Sequence, residues 1–169
     1  VSFKETDKLG GKDPYSSSKS ASELLISSYS SSFFSDTNIN ISTARAGNIV
    51  GGGDWSPYRL LPDVIRCCFE KTELVIRNPK SVRPWQHVLE PLSGYLVLAQ
   101  KLFDNPIEFS QGWNFGPKEE DVRPVKWIVE KMSSNWPQSS WELEKDVQPH
   151  EADFLKLDIS KARLGLNWS

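Results

Sequence analysis

A β-branched run between a helical segment and a glycine-rich loop sets the tightest limit on how this chain can fold. The run covers residues 41–45 and has the composition of a buried parallel strand. Before it, apolar residues recur at helical spacing over residues 15–34. After it, Gly47 and Gly51 predict a loop. A helix, a buried strand and a loop in this order indicate an α/β protein.

The rest of the chain continues this alternation of helices and strands. Spacing and breaker residues predict helices near 62–70, 90–102, 124–132 and 159–164, and strands at 74–76 and 113–115. A further strand fits residues 154–157. The links are short, which again favours α/β architecture.

Composition excludes several classes of function. The 169 residues carry a net charge of -2, which argues against a broad nucleic-acid surface. No apolar run approaches the roughly 20 residues that a membrane span needs, and the opening residues do not have the pattern of a secretory leader, so we expect neither a membrane span nor secretion. The two cysteines, Cys67 and Cys68, are adjacent and lack C-x-x-C spacing, so we expect reduced thiols in a cytoplasmic protein and no metal site.

The sharpest chemical pattern is Tyr15-Ser16-Ser17-Ser18-Lys19 in the first predicted helix. Residues i and i+4 of a helix lie one above the other, so Lys19 is expected beside the phenol of Tyr15. A phenol with a reference pKa of about 10 needs roughly 4 kcal/mol to ionise near pH 7. One cation about 4 Å away supplies about that much at an effective dielectric near 20. The pair therefore suits a general base that removes a proton from a hydroxyl group, although the spacing also arises by chance.

Longer motifs lead into this pair and follow it along the chain. They are Asp13-Pro14-Tyr15, Arg45-Ala46-Gly47-Asn48-Ile49-Val50-Gly51-Gly52-Gly53-Asp54-Trp55, Arg83-Pro84-Trp85-Gln86-His87-Val88 and Trp113-Asn114-Phe115-Gly116-Pro117. In this order they resemble the extended short-chain dehydrogenases that act on nucleotide sugars, and among them the CDP-glucose 4,6-dehydratase branch. The resemblance implies the C-terminal part of a Rossmann-type parallel sheet, over residues 1–50, and a small mixed α/β substrate-binding domain, over residues 51–169.

The resemblance also implies a reaction. It predicts NAD-dependent conversion of CDP-glucose to CDP-4-keto-6-deoxyglucose, a lyase step of deoxysugar and lipopolysaccharide synthesis. Tyr15 would take the C4 hydroxyl proton, and Lys19 would hold the nicotinamide ribose, so both count as catalytic and cofactor-binding residues.

Further residues are expected to hold the substrate. Asn48 follows the predicted strand at the end where open α/β sheets bind ligands. Arg59 and Arg83 are candidates for the diphosphate, because a guanidinium fork suits that group. The resemblance adds His150 and Glu151, which match a late segment that reaches the nucleotide.

The chain lacks parts that the family has. Neither G-x-G-x-x-G nor a Walker motif is present, and Thr6-Asp7-Lys8 only mimics by letters the Thr and acid-base pair that drive water loss. With no initiator methionine, the chain is expected to be a fragment that alone neither binds NAD tightly nor turns over substrate.

Two alternatives stay open. The chain fits another nucleotide-sugar epimerase or decarboxylase with the same Tyr15 and Lys19 pair, or a non-catalytic nucleotide-sugar-binding module. The resemblance further implies a homodimer formed through the helix at residues 15–34, with no membrane and no nucleic acid as partner.

Overall fold

A computed structural model of the protein describes residues 2–136, 140–145 and 154–168. In chain order the helices are α1 (Pro14–Tyr29), α2 (Leu60–Glu70), α3 (Leu89–Asp104), α4 (Pro106–Phe109), α5 (Val125–Asn135) and α6 (Ser160–Gly165). The strands are β1 (Thr43–Ala46), β2 (Asn48–Val50), β3 (Leu74–Ile76), β4 (Val82–His87), β5 (Gly112–Phe115), β6 (Val122–Pro124) and β7 (Trp141–Leu143). The predicted α/β fold with parallel strands is confirmed.

The chain forms two compact units. One unit, called here the α1 unit, comprises residues 3–46, 91–115 and 157–168. The other, called the α2 unit, comprises residues 47–90 and the described part of 116–156, together with Ser2. Strand β5 belongs to the α1 unit because it returns to pair with β1 after an excursion of more than 60 residues. The domain boundary expected at residue 50 stays a prediction.

The α1 unit is built on a parallel strand pair. Strand β1 lies beside β5 with Thr43 opposite Gly112 and Ala46 opposite Phe115. Its core combines Leu98 of α3, Phe109 of α4, Trp113 and Phe115 of β5, and Ala162 of α6 with Leu166 and Trp168, which follow α6. Phe115 is fully buried and packs edge-on against both Tyr95 and Trp168. This aromatic packing holds β5 against the core of the α1 unit, and β1 is held with it through the strand pairing.

The α2 unit contains two small sheets. Strand β4 lies between parallel β2 and antiparallel β6, and β3 pairs in parallel with β7. Helices α2 and α5 cover the second sheet through a core of Val64, Cys68, Leu74, Ile76 and Val129. Cys68 is thus a buried apolar residue of this core, while Cys67 is half-buried, and both thiols are free.

Several predicted elements differ in detail. The first helix is α-helical only to Tyr29 and continues as a π-helical turn over Ser30–Phe34. Serine hydroxyls that bond to main-chain carbonyls, such as Ser31 to Ser27 at 3.0 Å, compete with regular helix geometry there. Residues 154–157 form only isolated bridges, from Phe154 to Val82 and from Leu157 to Phe3, instead of a strand.

Candidate active site

Helix α1 begins at Pro14, so Tyr15 lies in its first turn. Asp13 is the N-cap, with extended backbone angles, and its carboxylate accepts a hydrogen bond from the Ser16 N–H at 3.0 Å. Bonds from the Ser16 hydroxyl and N–H hold the pKa of Asp13 below its usual range. Pro14 suits the first helical position because a backbone N–H at that position would have no partner in the helix, and proline lacks this N–H. These two residues fix where the helix starts and therefore which turn carries Tyr15.

Tyr15 and Lys19 lie together on α1. The Lys19 ammonium nitrogen is 5.6 Å from the centroid of the Tyr15 ring. The Tyr15 residue is 72% exposed, so its phenol hydroxyl is open to a ligand. The α1 unit thus presents a phenol and a cation within one helical turn at an accessible helix end.

The loop before this helix is fastened to it by serine side chains. The Ser20 hydroxyl accepts a hydrogen bond from the Gly10 N–H at 2.8 Å and lies 3.2 Å from the Gly10 carbonyl oxygen, to which it donates. A Cβ atom on Gly11 would lie 2.0 Å from the Ser16 hydroxyl oxygen, so only glycine allows this close approach. The loop therefore has a defined course directly before Tyr15.

Glu23 joins α1 to strand β1. Its two carboxylate oxygens accept hydrogen bonds from Arg45, at 2.8 Å from Nε and 2.9 Å from Nη2, and the Thr43 hydroxyl donates a third at 2.8 Å. These bonds, chiefly those from Arg45, lower the pKa of Glu23 although partial burial opposes the shift. The same pairing raises the pKa of Arg45. Sequence reasoning assigned no role to Arg45 and missed Glu23, whose position four residues after Lys19 on the same helix side was the available indication.

Asn48, predicted to contact substrate, lies at the start of β2. It is half-buried and stands opposite Trp85 of β4 in the α2 unit. The neighbouring Gly47 packs against Pro84, where a Cβ atom would lie 2.5 Å from the proline ring. Glycine at this position therefore allows β2 and β4 to approach each other.

The two predicted phosphate-binding arginines have different surroundings in the α2 unit. Arg83 lies on β4, is only 6% exposed and donates from Nη1 to the carbonyl of Val82 at 2.9 Å. Arg59 precedes α2, and its side chain is 63% exposed with Nε 3.5 Å from Asp54. Arg59 is therefore open to a ligand from solvent, while Arg83 is held inside the sheet.

A further arginine, which sequence reasoning missed, holds the loop that carries Arg59. Arg66 donates to the carbonyls of Trp55 at 2.9 Å and Ser56 at 3.4 Å, and it pairs with Asp63 one turn earlier on α2. Tyr58, in the same loop, has a φ of 63°, a strained value for a non-glycine residue. The loop before α2 is therefore a constrained segment.

The remaining predicted site residues, His150 and Glu151, lie outside the described residues. Over the described ranges, no group of three or more His, Cys, Asp and Glu side chains is arranged to hold a metal ion. In the same part of the chain, no helix has the length and apolar character required to cross a membrane.

Comparison with known proteins places the chain in a family. The family model described as "NAD dependent epimerase/dehydratase family" matches residues 2–110, which include α1, β1 and β4. The chain belongs to this family. The resemblance stated from Tyr15, Lys19 and the Arg83 motif is therefore confirmed at the level of the family.

A curated member of the family is similar over nearly the whole chain. CDP-glucose 4,6-dehydratase of Salmonella typhimurium strain LT2 is 49% identical over 172 residues, which cover 98% of this chain and 48% of that protein. The chain therefore spans about half the length of this curated relative.

Solved structures of nucleotide-sugar enzymes share the fold. UDP-glucose-4-epimerase from Stenotrophomonas maltophila, solved with NAD and formylated UDP-arabinopyranose, has a TM-score of 0.81 at 18% identity, covering 99% of this chain and 53% of that chain. The dTDP-glucose 4,6-dehydratase from Streptomyces venezuelae, solved with NAD and TYD, has a TM-score of 0.80 at 16% identity, covering 100% of this chain and 49% of that chain. These likenesses establish the Rossmann-type family fold.

Proposed function

We propose that this chain is the C-terminal part of an NAD-dependent CDP-glucose 4,6-dehydratase. The observation that carries the proposal is the exposed Tyr15 phenol with the Lys19 ammonium 5.6 Å from its ring centroid. The 49% identity to the Salmonella typhimurium enzyme, over 98% of this chain, supports CDP-glucose as the substrate.

The proposed reaction converts CDP-glucose to CDP-4-keto-6-deoxyglucose and water. Tyr15 accepts the proton of the C4 hydroxyl while C4 is oxidised, so that the C4 hydroxyl becomes a carbonyl. Lys19 stabilises the ionised phenol oxygen that accepts this proton. The C6 hydroxyl leaves as water together with the C5 proton, and C6 is reduced in the final step.

The residues present fit one end of the NAD cofactor. Bound NAD supplies the hydride acceptor for C4 and the hydride donor for C6. Lys19 lies in the second turn of α1, and its ammonium group would donate hydrogen bonds to hydroxyl groups of the nicotinamide ribose. The chain contains no G-x-G-x-x-G sequence, so the pyrophosphate would be held by residues outside these 169.

The groups that remove water are also proposed to lie outside this chain. The mimic Thr6-Asp7-Lys8 is engaged locally, since Asp7 accepts a hydrogen bond from the Lys4 N–H at 2.8 Å. Asp7 is exposed and closes a tight turn, which is an ordinary structural role. We therefore assign no catalytic function to it.

The substrate contacts remain proposals for the α2 unit and its late segment. The exposed guanidinium of Arg59 suits a diphosphate that approaches from solvent. Arg83, Asn48, His150 and Glu151 keep their predicted roles. The buried position of Arg83 gives its guanidinium a fixed place, which suits a contact that orients a ligand.

We also propose a homodimer in the cytoplasm that serves deoxysugar and lipopolysaccharide synthesis. The side of α1 away from the sheet carries Ala21, Leu25 and Tyr29, and the Tyr29 ring lies 5.1 Å from that of Phe33. Leu25, Tyr29 and Phe33 are each at least half exposed, which is the character of a helix face that packs on a second copy.

The experiment that tests the function uses the full-length protein, incubated separately with CDP-glucose and UDP-glucose and with NAD. We expect the alkaline absorbance of a 4-keto product with CDP-glucose and little or none with UDP-glucose. An epimerised or decarboxylated product from either sugar would instead assign the chain to another branch of the family.

A further inference from the structure

We propose that Glu23 is a positioning residue that fixes the rotation of α1 about its own axis. Through its bonds to Thr43 and Arg45, it would keep Tyr15 and Lys19 aimed at the reacting hydroxyl. This inference rests on the proposed function, because it concerns the same acid-base pair.

Within these 169 residues, apolar packing gives α1 little rotational restraint. None of its residues is buried, although it is 16 residues long. The side that faces the sheet is half-buried and carries Ser16, Ser20, Glu23 and Ile26, of which only Ile26 has a large apolar side chain. Hydrophobic burial is non-directional and roughly proportional to area, so this contact surface allows the helix to turn.

Directional bonds provide the missing restraint. In the described part of the chain, the side-chain hydrogen bonds that join α1 to β1 all end on the Glu23 carboxylate. Thr43 and Arg45 are two residues apart on β1, so both side chains leave the same face of the strand. The guanidinium fork binds both carboxylate oxygens, which fixes the direction of the Glu23 side chain as well as its distance.

The strand that receives these bonds is itself held firmly. Arg45 is also 3.4 Å from the carbonyl of Glu5, and the Glu5 carboxylate accepts the Asn114 N–H of β5 at 2.9 Å. The Asn114 side chain is buried and donates to the carbonyls of Phe3 and Asp158. Glu23 thus connects α1 to a network that spans both strands of the sheet.

The geometry of a helix turns a small rotation into a large displacement of the phenol oxygen. Tyr15, Lys19 and Glu23 follow each other at intervals of four residues, and each step rotates by only about 40°. A group about 8 Å from the helix axis moves about 1.4 Å when the helix rotates by 10°. Misplacement of a reacting group by about 1 Å reduces rates by about a hundredfold.

The test uses double-mutant cycles in the full-length protein with CDP-glucose. We expect Glu23→Gln and Arg45→Lys each to lower kcat about 10- to 100-fold with KM changed less than about threefold. Each substitution weakens the two-bond pairing of the Arg45 guanidinium with the Glu23 carboxylate but keeps a side chain of similar size in its place. If Glu23 acts through Tyr15, adding Glu23→Gln to Tyr15→Phe costs no further activity. Ile26→Val is the matched control, since it loosens the same helix face and leaves the ion pair intact.

The outcomes separate this inference from the proposed function. Loss of activity in Tyr15→Phe with normal kcat in Glu23→Gln would overturn the positioning role alone. The positioning role would also be overturned if Ile26→Val lowered kcat as much as Glu23→Gln. It would likewise be overturned if adding Glu23→Gln to Tyr15→Phe lowered activity by the same factor as in the unaltered protein, since both results indicate a general structural role. Full activity in Tyr15→Phe would overturn the proposed function itself.

Discussion

The ammonium nitrogen of Lys19 lies 5.6 Å from the centre of the Tyr15 ring, one helical turn away. A general base of this kind must be ionised before it accepts a proton, and a cation in this position suits that ionised form; the helix holds the cation there before substrate arrives. Because Tyr15 is 72% exposed, a sugar hydroxyl can approach the phenol oxygen directly. This relationship is the basis of the proposed chemistry.

Removal of the Glu23 charge should change the acid stability of the protein. The pKa of Glu23 lies below its ordinary value of 4.5, chiefly because of Arg45, so the stabilisation is present above pH 4.5 and is lost as the pH falls through the lowered value. Glu23→Gln should therefore lower the free energy of unfolding by about 1–3 kcal/mol at pH 7, with a smaller difference at an acid pH below the lowered pKa of Glu23. Urea unfolding at both pH values measures this.

A surface ion pair supplies the control for that experiment. Glu130 lies 3.4 Å from Lys126 on α5, and both side chains are about half exposed. Glu130→Gln should change stability little at either pH, because exposed pairs contribute little. If Glu23→Gln gives the same difference from the wild type at both pH values, the proposed linkage is wrong.

Gly94 of α3 should tolerate no side chain. A Cβ atom there would lie 2.4 Å from the fully buried Phe115 ring and 3.1 Å from Trp168 Nε1. Gly94→Ala should cost about 1–3 kcal/mol through overpacking, although alanine favours helices. Gly52→Ala, whose Cβ meets nothing within 4 Å, is the control and should be close to neutral. Thermal unfolding compares the two, and equal midpoints would contradict this packing.

The outward face of α1 should determine the oligomeric state of the full-length protein. Tyr29→Glu places a charge among Leu25 and Phe33 and should convert a two-chain mass to a one-chain mass by light scattering. Ile107→Glu changes an apolar residue that is 96% exposed on α4, outside this face, and should leave the mass unchanged. A two-chain mass for Tyr29→Glu would show that the subunits meet elsewhere.

The 169-residue chain alone should not bind NAD tightly. Lys19 offers a contact for only one end of the cofactor, and the chain carries no glycine-rich fingerprint for the pyrophosphate. Calorimetric titration of this chain with NAD should therefore give no saturable heat in the micromolar range. Micromolar binding would mean that residues of this chain hold the pyrophosphate in another way.

Features of the sequence that act over one helical turn were predictable. The Asp13-Pro14 start, the Tyr15 and Lys19 pair and the apolar spacing of α2 and α3 depend on neighbours within a few residues. The strand β4 was not predicted from the sequence. Its buried positions are occupied by Arg83, Pro84 and Gln86, which do not give the apolar pattern by which a buried strand is predicted. Their burial results from the position of β4 between β2 and β6, which only the fold provides.

Long-range pairing explains the rest of what the sequence left open. Glu23 meets Arg45 across 22 residues, and β1 meets β5 across more than 60, so neither local spacing nor composition indicates them. For the same reason local spacing does not indicate that each compact unit is assembled from separate stretches of the chain. The burial of Arg83 depends on β6, which reaches β4 from about 40 residues further along the chain.

The most direct measurement is the turnover of CDP-glucose by the full-length protein and its Tyr15→Phe variant, followed through the 4-keto product. The proposed general base predicts that kcat falls at least about a hundredfold. Tyr95→Phe, which removes a hydroxyl from a ring packed on Phe115, should keep nearly full activity. Equal turnover by Tyr15→Phe and the unaltered protein would contradict the proposed chemistry.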